Sequence, residues 1–133
     1  MFKKLLIDTN FLILPLKIGK NLIRQIDDLL KLKYSIIVLE DSINELKYAN
    51  PRFFEKLLSD NTLLDQLWPG IKIVKFNYPT GYEIDDKILT YAVENKCVVA
   101  TNDTTLRARL REKGVPTIYL KHKSHLALEG NLP

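Results

Sequence analysis

The chain has 133 residues, 46% of them hydrophobic and 27% charged, with a formal net charge of +4. These values fit one globular domain spanning 1–133 and exclude a disordered chain, a collagen-like fibre and a coiled coil. The apolar runs, such as Ile36–Leu39 and Cys97–Ala100, are too short to cross a bilayer, so no membrane partner is expected. The run after Lys3-Lys4 is cut off by Asp8, which is too early for a secretory leader. A single cysteine, Cys97, has no partner for an internal disulfide and points to a reducing, cytoplasmic setting.

In chain order, apolar runs of strand length alternate with helical patterns. Leu5–Asp8 is the first predicted strand, and Leu22, Ile26, Leu29 and Leu30 then fall on one helix face. Ser35–Leu39 is the second strand. Ile43, Leu46 and Lys47 follow it, with Asp41-Ser42 as the predicted cap. Pro51 suits the first turn of a helix carrying Phe53, Phe54, Leu57 and Leu58. Ile71–Phe76 is the third strand, and Asp85-Asp86 open a helix bearing Ile88, Leu89, Ala92 and Val93. Val98–Ala100 is the fourth strand. Leu106 and Leu110 mark a helix stopped by Gly114, and Thr117–Leu120 is the fifth strand. The alternation predicts an α/β fold: a Rossmann-like three-layer α/β/α sandwich around a central parallel sheet of about five strands.

Ligands of such sheets bind beyond the carboxyl ends of the strands. Asp8 ends the first strand and Asp103 lies just past the fourth. Glu45 lies on the helix after the second strand, and Asp85 and Asp86 open the helix leading to the fourth. Taken singly, each acid is more simply a helix cap or a surface charge. Asp8 stands apart because it lies between two apolar runs, and a buried carboxylate needs a partner. Either a lysine pairs with it or a cation is shared with other carboxylates, with Thr9 and Asn10 orienting the group. Acids brought together must take up protons or bind a divalent ion. An all-oxygen donor set favours Mg²⁺ or Mn²⁺, the ions of phosphodiester hydrolysis.

These residues also resemble the motifs of PIN-domain ribonucleases. Leu6-Ile7-Asp8-Thr9-Asn10-Phe11-Leu12 is similar to that family's opening motif, and Glu45 in Ser42-Ile43-Asn44-Glu45-Leu46 is similar to its second acid. Asp85-Asp86-Lys87-Ile88 with Ala92 resembles the third acidic motif, and Thr101-Asn102-Asp103 the Thr-x-Asp motif. The resemblance implies strand order 3-2-1-4-5 and Mg²⁺- or Mn²⁺-dependent endonucleolytic cleavage of RNA. It makes Asp8, Glu45, Asp85 and Asp103 the acidic tetrad, with Asp86 a neighbour or extra ligand and Thr9, Asn10, Thr101 and Asn102 polar support. Two branches share these features: VapC-type toxins, partnered by an antitoxin, and ribosomal-RNA-processing nucleases. The alternative is a non-catalytic PIN-like module that binds RNA or a ribosome-assembly partner. A flavodoxin-like phosphoacceptor fits less well, because no aspartate ends Ile71–Phe76.

Accessory features suit a polyanion. From Thr104 to His125 six basic residues stand against Glu112 alone. Arg107 and Arg111, one helical turn apart, and Lys121 and Lys123 in the basic tail are the candidate RNA contacts. A solvated basic face is the simpler reading of the same charges. Tyr78 and Tyr82, flanking Pro79-Thr80-Gly81, are either base-stacking platforms or half-buried spacers. Trp68 is a core or interface anchor. Phe53-Phe54, Leu57-Leu58 and Leu63-Leu64 exceed what one core needs, which suggests a homodimer.

Overall fold

The computed structural model describes residues 3–132; Met1, Phe2 and Pro133 lie outside it. Its sheet has six strands in the order β3-β2-β1-β4-β5-β6. They are β1 (Lys3–Ile7), β2 (Tyr34–Leu39), β3 (Lys72–Val74), β4 (Val98–Ala100), β5 (Thr117–Leu120) and β6 (Leu126–Glu129). The first five run parallel and β6 pairs antiparallel to β5. The five expected strands are present in the expected order. The sixth falls where a basic tail was expected, because Lys121-His122-Lys123-Ser124-His125 is a turn into one further strand.

The pleat explains the three layers, because successive side chains of a strand enter opposite faces. Leu5, Ile7, Ile36, Val38, Val98 and Ala100 face one side, and Leu6, Ile37, Leu39 and Val99 the other. The first side is covered by α1 (Leu14–Ile18), α2 (Asn21–Leu30), α3 (Glu40–Ala49), α4 (Pro51–Ser59) and α5 (Leu63–Leu67). The second is covered by α6 (Ile84–Asn95) and α7 (Thr104–Glu112). Burial on both faces is why the central strands lack polar alternation.

Helix boundaries follow local chemistry. Pro51 opens α4, and the Asn50 side chain accepts the Phe53 N–H at 3.2 Å. At α3 the expected Asp41-Ser42 cap is not formed: the helix begins at Glu40, and Leu39 precedes it in extended conformation. Glu40 and Asp41 instead place negative charge in the first turn, where the helix dipole favours it. α6 begins with a capping box in which Glu83 accepts the Asp86 N–H and Asp86 accepts the Glu83 N–H. Gly114, with φ of 70°, ends α7 in a conformation that only glycine adopts without strain.

Trp68 is an internal anchor. It is fully buried, and its indole N–H donates to the Leu12 carbonyl at 2.8 Å. Its ring lies 6.1 Å from that of Phe11, so it pins the segment that follows Asp8. Most of the surplus apolar surface of α4 and α5 is also internal. Phe53 is buried, and Phe54, Leu57, Leu63 and Leu64 pack against the same core, while Leu58 projects outward. Cys97 is a buried free thiol, pushed up by burial to about 11. Among the described residues, no helix is long and apolar enough to cross a membrane.

Candidate active site

The site lies at the carboxyl edge of the two central strands. Asp8 follows β1, and its N–H donates to the Ala100 carbonyl at 2.9 Å, so the ends of β1 and β4 are held side by side. The Asp8 side chain is buried and both its oxygens are used. Oδ1 accepts the Thr9 N–H at 2.7 Å, capping a short 3-10 turn over Thr9–Phe11. Oδ2 accepts the Thr101 hydroxyl at 2.6 Å. The partners of this carboxylate are therefore neutral donors, where a lysine was one of the two expectations.

Thr101 connects two acids. It follows β4 and is fully buried. Its hydroxyl has one proton, which goes to Asp8, and its oxygen accepts the Asp103 N–H at 3.1 Å. Asp103 then caps α7, its Oδ1 accepting the Leu106 N–H at 3.0 Å. Asn102, between them, accepts the Leu120 N–H at 2.8 Å and ties the end of β5 to the same loop. Asn10 is exposed beside Asp8.

The third acid arrives from another element. Asp85 is half-buried in the first turn of α6. Burial pushes the Asp8 carboxyl above the ordinary carboxylate range. The bonds from Thr101 and Thr9 pull it back, and the charges of Asp85 and Asp103 raise it again. Asp85 is likewise raised, first by burial and then by Asp103, with Arg109 opposing. Asp8, Asp85 and Asp103 thus share one repulsive field, although they are distant in sequence. Glu45 is exposed on α3 and stands apart from Asp8 and Asp103; of the three acids it shares with Asp85 alone the lining of a cavity of about 580 Å³.

Other expected site residues have different engagements. Asp86 is turned away from the cluster. It accepts the Glu83 N–H at 2.9 Å and pairs with Arg109 at 2.8 Å, and these bonds hold its carboxyl below the usual range. Arg107 stacks on the Tyr119 ring at 3.6 Å and reaches Glu129 of β6 at 3.6 Å. Arg111 also pairs with Glu129, whose carboxyl is lowered first by that bond. In this conformation both arginines are bound within the protein. Lys121 and Lys123 are exposed in the β5–β6 turn, at the carboxyl edge of β5 next to Asn102.

Sequence reasoning passed over two contributors. Lys87 of α6 pairs with Asp41 of α3 at 2.7 Å and closes one wall of the Glu45–Asp85 cavity. Gln25 of α2 holds the basic turn. Its Nε2 donates to the Ser124 carbonyl, and its Oε1 accepts the Leu126 N–H, each at 2.7 Å. No local signal marks Gln25, because its partners lie about a hundred residues away. The Asp41–Lys87 pair had a weak signal, since Asp41 shares a helix face with Glu45.

The donor chemistry fits a hard divalent ion. Among the described residues, no three acidic, histidine or cysteine side chains stand close enough to enclose an ion by themselves. Mg²⁺ commonly uses only one or two carboxylates and completes its shell with water and substrate oxygens. Asp8 and Asp103, linked through Thr101, supply carboxylate oxygens within one hydrogen-bonded unit. The hydroxyl of Thr9, the residue after Asp8, is buried with no partner, and a buried oxygen of this kind is commonly satisfied by water.

The chain is similar to known proteins over nearly its whole length. Residues 5–123 match the family model of the PIN-like domain. Ribonuclease VapC4 of Methanocaldococcus jannaschii is 32% identical over 135 aligned positions, covering 96% of this chain and 97% of that protein. Among solved structures, the PIN domain endonuclease Utp24 superposes with a TM-score of 0.74 at 23% identity, covering 97% of this chain and 92% of the other. A domain of a functionally unknown protein from M. jannaschii superposes with a TM-score of 0.62 at 21% identity, covering 90% and 92% of the two chains. At those identities the structural likenesses speak for the fold. The family model and the curated relative, together with a central sheet whose carboxyl edge gathers Asp8, Asp85 and Asp103, place this chain in the PIN-like domain family.

Proposed function

We propose that the protein is a metal-dependent endoribonuclease that hydrolyses RNA phosphodiester bonds. The observation that carries this reading is the hydrogen-bonded unit Asp8–Thr101–Asp103 lying in one electrostatic field with Asp85. Asp8 and Asp103 each cap a turn or helix, but those bonds leave the mutual repulsion of Asp8, Asp85 and Asp103 unrelieved, and a divalent cation would relieve it. The named activity of the curated relative supports RNA as substrate.

Asp8 and Asp103 would hold the ion, Mg²⁺ or Mn²⁺, directly, with Asp85 completing its shell through bound water and Glu45 on the cavity side. Such an ion, when bound, acidifies a coordinated water and stabilises charge on the departing oxygen. The protein's own side chains do the positioning. Thr101 fixes the rotamer of Asp8 and, through the Asp103 N–H, the path of the next loop. Lys121 and Lys123 offer the backbone phosphates two exposed cations beside that loop. Arg107 and Arg111 join them only by leaving Glu129. Asp86 acts as a helix cap and partner of Arg109. The buried free thiol of Cys97 supports a cytoplasmic setting.

A direct test is incubation of the purified protein with mixed RNA and Mn²⁺, followed by mapping of the ends. Discrete internal cleavage, abolished by EDTA, is expected. RNA that is bound but left intact with every divalent ion would favour the non-catalytic module. The basic turn gives a separate expectation. Gln25→Ala removes both bonds that tie it to α2, leaving only its own backbone closure, and RNA affinity should fall several-fold at low salt with little change in the rate at saturation. Fluorescence anisotropy with a labelled RNA and single-turnover kinetics measure the two effects.

A further inference from the structure

The cavity between α3 and α6 has a feature the proposed chemistry leaves unused. On α3, Asn44, Glu45 and Tyr48 line one wall, with Glu45 and Tyr48 one turn apart. Tyr82, just before α6, lines the other, next to Asp85. Tyr48 is 76% exposed and contributes nothing to the core. Tyr82 is 38% exposed but firmly backed. Its ring lies 6.0 Å from that of Tyr78, whose ring packs at a tilt 4.5 Å from Phe76, itself 5.4 Å from buried Tyr91. Gly81, with φ of 96°, makes the turn that presents Tyr82. One wall is therefore a rigid aromatic platform and the other an adjustable one.

Charge selects the occupant. Asp41, Glu45, Glu83 and Asp85 line the cavity against Lys87, whose charge is already paired with Asp41. With no ion bound, a phosphate is repelled there, and the nearest further cation is Lys47, 5.9 Å from the Tyr48 ring. A flat neutral ring is not repelled, and its edge N–H groups find acceptors in Asn44 and Glu83, which the proposed ion does not use. The volume of about 580 Å³ falls within the range of small-ligand sites. We propose that Tyr48 and Tyr82 form a nucleobase subsite, holding one unpaired base of the RNA stacked beside Asp85. This deepens the nuclease reading and rests on it for the identity of the ligand. It restricts the substrate to single-stranded or splayed-out nucleotides, because a base within a duplex cannot enter.

The test is binding of an unstructured RNA 12-mer, carrying 2-aminopurine at each position in turn, to the full chain in EDTA. Quenching concentrated at one position relative to the bound register is expected. Tyr48→Ala and Tyr82→Ala should each weaken binding by about 5- to 150-fold, the range for loss of one base–aromatic stack. Tyr48→Phe should bind like the wild type. The salt dependence of binding should not change in any of them, because no phosphate contact is removed. Wild-type affinity and quenching in Tyr48→Ala, or a loss explained by a shallower salt dependence, would overturn the subsite. So would a Tyr48→Ala protein that splits a dimer while its quenching is unchanged. Position-specific quenching in a protein that cleaves no RNA with any metal keeps the subsite and rejects the nuclease. Cleavage with KM unchanged in Tyr48→Ala does the reverse.

Discussion

Replacing Asp8 with asparagine is expected to abolish metal-dependent RNA cleavage, by about 100-fold or more, while leaving the protein folded and at least as thermally stable. Weakening a partner that merely orients a metal ligand costs about 10- to 100-fold, so loss of the central carboxylate should cost no less. The fold survives because asparagine keeps the packing and most of the bonds: its Oδ1 accepts the Thr9 N–H and its amide donates to the Thr101 oxygen, and the loss of an acceptor for the Thr101 proton is offset by removal of a buried charge. Stability follows from the raised pKa of Asp8. A carboxyl raised by folding contributes its stability fully below its unfolded value near 3.9 and loses it as pH rises through the folded value. At neutral pH the ionised group therefore opposes folding, and the neutral amide relieves it. The same sign makes low pH unfavourable for activity, since protonated Asp8 and Asp85 are poor metal ligands. Asp86 and Glu129 have the opposite sign: lowered by their partners, they stabilise the fold above their unfolded values and lose this as pH falls through the folded ones. Parallel melting curves and cleavage rates for wild type and Asp8→Asn measure both effects. A clear drop in melting temperature would mean that Asp8 is structural.

Thr101→Val should damage both stability and activity, although valine has nearly the same shape. The substitution deletes the donor to Asp8 Oδ2 and the acceptor for the Asp103 N–H at a fully buried position. Leaving a buried polar group without its partner costs about 1–3 kcal/mol. For a chain of this size that corresponds to a fall in melting temperature of roughly 4–12 °C. Cleavage should fall about 10- to 100-fold, because both flanking acids lose their orientation. Thr101→Ser restores the hydroxyl and should recover most of both losses. Equal melting temperatures for the valine and serine proteins would show that the hydroxyl bridge has no energetic weight.

Much of the fold was legible because it depends on local periodicity. The central strands β1, β2 and β4 read as short apolar runs because their middles are buried on both faces, whereas β3 at the sheet edge is largely exposed and offers only Ile73 and Val74 as apolar residues. The sixth strand was not legible, because Leu126-Ala127-Leu128-Glu129 is short and follows a polar turn, and only its pairing with β5 defines it. α1 and α5 are single turns whose apolar residues gave no full helical period. Asp8, Asp85 and Asp103 could be placed at one sheet edge from topology alone. The bonds that join two of them through Thr101 could not. The side chains of α7 were the hardest to place. Arg107 and Arg111 share a face as their spacing implies, but the face meets Glu129 and Tyr119 across β5 and β6, and a partner from an unrecognised strand was invisible. The doublet Asp85-Asp86 was likewise separated only by three-dimensional context, the second acid being taken up by the helix cap and Arg109.

If folding assembles these acids into a binding site for a divalent ion, calorimetric titration of Mn²⁺ into the wild-type, Asp8→Asn and Asp103→Asn proteins without RNA will register it. Saturable binding by the wild type, weakened at least about tenfold in each variant, is the expected result. Identical weak binding in all three would contradict it.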